Sequence, residues 1–150
     1  MKRLAFLTSF LLLAAPLLAQ TKVLLNVDKD GLAIQGYDPV AFFTDAKPVK
    51  GKKEFATQYH GAFYRFASAE SKARFDQEPA KYEPAYGGFC AFGVSHNKLV
   101  EIDPEAFQVM NGRLLLQYSK GVRNDFNKNP QENLAKANAN WSSLVESKGK

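Results

Sequence analysis

Residues Phe55–Glu78 run FATQYHGAFYRFASAESKARFDQE and change their periodicity halfway along. Phe55, Thr57 and Tyr59 alternate onto one face of a strand, and Ala62, Tyr64 and Phe66 do the same on the next. His60-Gly61 puts a glycine turn between them, so the two segments are expected to pair as an antiparallel hairpin. From Ser68 the two-residue period gives way. Ser68 is a good N-cap for a helix reaching about Glu78, with Glu70 and Arg74 at i,i+4 and Phe75 aimed at the core.

Upstream, Val23, Leu25 and Val27 alternate within Thr21–Asp28, a strand pattern. Asp28-Lys29-Asp30-Gly31 follows as a turn, and Leu32–Ile34 reads as the next strand. Asp28 and Asp30 have the spacing that opens a calcium loop, but the later ligands are missing, so the turn reading stands. In Gly36–Phe43 (GYDPVAFF), Pro39 disfavours helix at Asp38 and the apolar run suits a short buried segment.

Downstream, Pro79 starts a turn leading to Tyr82. Gly87-Gly88 allows a sharp entry into Phe89–Val94, read as a strand, with close backbone approach. Lys98–Ile102 and Phe107–Met110 are further strand candidates. Asn111-Gly112 before Arg113–Tyr118 is the strongest hairpin turn in the chain. At the C-terminus Asn129 stands at a helix N-cap, Pro130 in the first turn, and Glu132 completes a capping-box-like pair. Leu134, Ala137, Trp141, Leu144 and Val145 then recur at helical spacing, which makes Trp141 a core anchor of this helix. The expected fold is α+β: a small, mostly antiparallel sheet with a central short helix and a C-terminal amphipathic helix.

The N-terminus carries an address. Lys2 and Arg3 are followed by the short apolar run Leu4–Leu13, Pro16, and the small residue Ala19 before Gln20. This is the layout of a cleavable signal peptide over residues 1–19, and the run falls short of the roughly 20 apolar residues of a membrane helix. The mature chain, residues 20–150, is then a single domain without a membrane span, periplasmic or secreted. Gln20 stands where a lipoprotein would need cysteine.

Apolar residues make up 45% of the sequence and aromatics 13%, enough to fill one core. The formal net charge of +5 falls by two when Lys2 and Arg3 leave. No dense Lys/Arg cluster with interleaved aromatics is present, so nucleic acid is not an expected partner. Cys90 is the single cysteine, so the exported chain has no internal disulfide. There is no HExxH, no phosphate-cradling glycine loop and no Cys-x-x-Cys-His haem motif. A cysteine nucleophile could be assembled from Cys90 with His60 or His96 and Asp38 or Asp103, but no local cation or helix N-terminus activates the thiol, and no enzyme class is assigned.

Four stretches carry a resemblance: Gly36–Phe43 (GYDPVAFF), Tyr59–Ser68 (YHGAFYRFAS), Phe75–Tyr82 (FDQEPAKY) and Tyr86–Gly93 (YGGFCAFG). Phe107–Tyr118 and Ala137–Trp141 continue it. In these the chain resembles the small exported single-domain members of the YHS domain family. YHS domains of copper-transporting ATPases and some oxygenases resemble small metal-binding modules. Their cysteines sit after an Asp-Pro-Val, in a Phe-Cys-Ser, and one helical turn later. The matching positions here are Ala41, Ala67 and Ser71, none of which binds a soft metal as a thiolate does.

The resemblance therefore implies a binding or accessory module, with a transition metal, copper first and zinc second, as one candidate ligand and a protein as a candidate partner. A metal would need a different donor set: Cys90, His60 and His96. Each also has a plainer reading, as a small buried residue, a turn histidine and an exposed loop histidine respectively. The alternative is a non-metal module that binds a protein or a small apolar ligand through the aromatic surface at Tyr86–Phe92. A Cys90-dependent enzyme is the third.

Overall fold

A computed structural model describes residues 21–150; the expected signal peptide at 1–19 lies outside the described residues. Two antiparallel hairpins organise the chain, β1 (Lys52–Tyr59) with β2 (Ala62–Phe66), and β3 (Asp103–Met110) with β4 (Arg113–Gln117). The architecture is α+β, with two separate two-stranded sheets in place of one. Both turns have the left-handed geometry that a two-residue hairpin requires: His60 and Gly61 at φ 48° and 89°, Asn111 and Gly112 at 51° and 73°.

Between the hairpins run α2 (Ala69–Gln77), α3 (Pro79–Tyr82) and α4 (Ala91–Ser95); α1 (Ala41–Thr44) precedes them, and α5 (Lys120–Phe126) and α6 (Pro130–Lys148) follow β4. Ser68 caps α2 as expected, accepting the Ser71 N–H, and Arg74 reaches Glu70 at 2.9 Å. Phe75 is fully buried and meets Tyr64 and Phe66 with ring centroids 4.9 and 5.1 Å apart. Strand β4 is the wall between two halves of the core. Its period of two sends Leu114 and Leu116 toward Phe42, Phe66 and Phe75, and Leu115 toward Phe126, Ala137 and Leu144 under α6.

Several expected elements take other forms. The strands read at Thr21–Asp28 and Leu32–Ile34 shrink to single bridges, Val27 to Ala33 and Leu32 to Phe63. The cause is local: Oδ1 of Asp28 accepts the N–H groups of both Asp30 and Leu32, closing a tight turn that leaves no room for a ladder. Phe89–Val94 is not a strand. Cys90 caps α4 there, its sulfur accepting the Gly93 N–H, and a run apolar on every side carries no period to tell helix from strand. Lys98–Ile102 is irregular, and α5, capped by Ser119, is a helix that the sequence pattern did not announce. Asn129 precedes α6 without a side-chain cap bond, and Glu132 pairs forward with Lys136 at 2.6 Å. No helix among the described residues is long and apolar enough to cross a membrane.

Candidate binding cleft

The sequence YGG at 86–88 builds a 3-10 turn, residues Ala85–Gly88, in which Tyr86 and Gly87 both lie in the left-handed region, at φ 54° and 59°. For tyrosine this backbone is unfavourable and persists only where its surroundings hold it. They do. Tyr86 is buried, and its hydroxyl donates to Oδ1 of Asn138 at 2.8 Å. Nη1 of Arg113 donates to the same oxygen at 2.9 Å, and its guanidinium lies over the Tyr86 ring, 4.9 Å from the centroid. Burial pushes the Tyr86 phenol up from its ordinary range, with Arg113 pulling the other way, so at neutral pH it is a hydrogen-bond donor.

The N-terminal segment closes over this turn. The Asn26 N–H donates to the Gly87 carbonyl at 2.8 Å, and Nδ2 of Asn26 reaches the Gly88 carbonyl. Trp141 is only half-buried, contrary to its reading as a core anchor. One flank of the ring meets Tyr86 edge-on at 5.9 Å and Phe89 at 6.5 Å, and the ring also lines an open cleft. That cleft, about 390 Å³, lies between the N-terminal segment, the β1–β2 turn, α3, the 3-10 turn, Arg113 and α6. His60 sits on its rim, stacked on Tyr59 at 3.9 Å, with Nδ1 3.2 Å from Glu83.

The three candidate metal ligands are not brought together. His60 lines this cleft, whereas Cys90 and His96 line a shallower depression of about 230 Å³ beside Phe92 and Tyr118. Among the described residues no group of three His, Cys, Asp or Glu side chains is arranged to hold a metal ion. Cys90 is 1% exposed, and its sulfur is already engaged. It donates to Oε1 of Gln117 at 3.3 Å and accepts the N–H groups of Tyr118 at 3.3 Å and Gly93 at 3.4 Å. His96 turns its Nδ1 back to the Phe92 carbonyl at 2.9 Å. The Ser95 hydroxyl lies 3.0 Å from the same nitrogen.

Ala41, Ala67 and Ser71, the positions matched to cysteines in metal-binding relatives, do converge. All three line one pocket of about 250 Å³ together with Asp38. Asp38 is 1% exposed and fully engaged. Oδ1 accepts the Val40 N–H at 2.8 Å, and Oδ2 accepts the Ala67 N–H at 2.9 Å and the Ser71 hydroxyl at 2.5 Å. The convergence of a metal cage is kept, but its donors are two methyl groups and a hydroxyl that Asp38 occupies. This set does not fit copper or zinc.

Arg113 and Asn138 were not singled out by the sequence. The available signal was the helical spacing of Asn138 and Trp141 in ANANW, which puts both on the face that meets the Tyr86 turn. The aromatic surface expected at Tyr86–Phe92 divides instead: Tyr86 borders the cleft and Phe92 the Cys90 depression. Residues 40–86 match the YHS domain family. The match encloses Ala41, His60, Ala67, Ser71 and Tyr86 and stops short of Cys90 and His96. No curated protein and no solved structure matches the chain significantly.

Proposed function

We propose that this YHS domain is an exported binding module that holds a small, partly apolar molecule in the cleft walled by Tyr86 and Trp141, without a soft-metal centre. One observation carries the reading: a tyrosine in strained backbone, pinned by Asn138 and covered by Arg113, faces a cleft of small-molecule size. Sites of this kind run to about 300–1,000 Å³, with apolar walls and a few placed polar groups. Export rests on the layout of residues 1–19. Just beyond them the chain joins the domain: Lys22 bonds Glu146, and Val23 exchanges backbone hydrogen bonds with Lys150.

A binding role is favoured over a catalytic one because Cys90, the candidate nucleophile, lies beneath the surface with its sulfur held on three sides. The test is amide and indole N–H shift mapping with a library of small aromatic and aliphatic fragments. Fragments that bind should move the Trp141 indole, the Gly87 amide and the Arg113 side chain together. Shifts gathered instead around Cys90, His96 and Tyr118, or no shifts at millimolar fragment, would contradict the reading.

A further inference from the structure

The charges around the cleft are unevenly satisfied. Lys22 is paired with Glu146 at 3.1 Å and Lys81 with Glu78 at 3.4 Å. Glu83, the one acid among the described lining residues, lies 3.2 Å from His60. Arg113 alone among the cleft's lysines and arginines has no carboxylate within pairing distance among the described residues. Its guanidinium is fixed between the Tyr86 ring and Oδ1 of Asn138, which spends one of its five N–H donors. A held guanidinium with open donors matches a planar two-oxygen acceptor.

Resting on the cleft reading above, we infer that the ligand is a small organic monocarboxylate, its head on Arg113 and its apolar body along Trp141. The body is required because the walls beside Trp141 are apolar, Leu24 and Val145 among them. A single negative charge is required because one cation is free, while Glu83 on the same cleft opposes a second. A phosphate dianion meets that opposition and finds only one unpaired guanidinium, so the carboxylate is the better match.

The experiment titrates the protein with 3-phenylpropionate and with 3-phenylpropanamide, its uncharged counterpart, and follows the Trp141 indole N–H. The acid should bind about tenfold more tightly, the size expected for a charge-assisted two-point contact. Arg113→Gln should abolish that preference, bringing the affinities for acid and amide to within about twofold of one another. Arg113→Lys should recover only part of it, because an ammonium lacks the fork. Equal affinity for acid and amide in the unaltered protein, or a preference that survives Arg113→Gln, would overturn the carboxylate assignment and leave the cleft reading standing. If neither compound moves the Trp141 indole at millimolar concentration, both fall.

Discussion

Gly87→Ala is expected to destabilise the fold by about 3 kcal/mol. A Cβ built at this position would stand 2.0 Å from the Leu24 carbonyl oxygen and 3.1 Å from the Trp141 ring. The neighbour that must yield is backbone, held in place by the Asn26 hydrogen bond to Gly87 itself. Two costs add. Alanine in the left-handed region loses roughly 1 kcal/mol relative to glycine, and overpacking of a closed contact costs about 1–3 kcal/mol. Gly112 separates the two. It has φ 73°, but a Cβ added there would meet no atom within 4 Å, so Gly112→Ala should cost only the backbone part, about 1 kcal/mol. Chemical denaturation of both variants decides the matter. Equal losses would mean that the N-terminal segment is not closed against the turn.

The second large effect is expected at Asp38. Asp38→Ala leaves the Val40 and Ala67 N–H groups and the Ser71 hydroxyl without their acceptor, in a site where the lost carboxyl was 1% exposed. A buried donor stripped of its partner costs about 1–3 kcal/mol, and some relaxation or water entry is available through the adjoining pocket, so the loss should be about 4 kcal/mol. Ser71→Ala removes one bond and should cost about 1 kcal/mol. Asp38→Asn should fall between them, because its amide keeps one acceptor oxygen but turns an NH2 group toward the Ala67 N–H. Thermal and urea unfolding read all three. An Asp38→Ala variant as stable as the parent would show that this carboxyl does not brace α1 against β2 and α2.

Asp38 also marks where sequence reading succeeded and where it stopped. The alternation in Phe55–Phe66, the Ser68 cap and the Asn111-Gly112 turn are local signals, and each produced its element. Placing Ala41, Ala67 and Ser71 on the cysteine positions excluded the thiolate cage, and their convergence around Asp38 agrees with that alignment. What was not legible depends on contacts distant in the chain. Thr21–Asp28 alternates like a strand but bonds chiefly to the Gly87 turn and the C-terminal residues. Cys90 lies in an apolar run, where a helix cap and a strand residue look alike. The cleft is lined by Tyr86, Arg113 and Trp141, with Asn138 bonded to the first two, and only the fold joins residues so far apart. Trp141 shows the limit of periodicity: helical spacing put it on the correct face of α6 without indicating that the ring borders open space.

Native mass spectrometry of the protein taken from the exported fraction of its own cell would show what the cleft holds. It reads the start of the chain and whatever the domain holds in a single spectrum. The expected species is a chain beginning at Gln20 that carries an organic molecule and neither copper nor zinc. Ala80→Trp, which fills the cleft from the exposed face of α3, should lose that molecule while remaining folded. Stoichiometric copper or zinc that disappears in Cys90→Ser would contradict it, as would an organic ligand that Ala80→Trp retains.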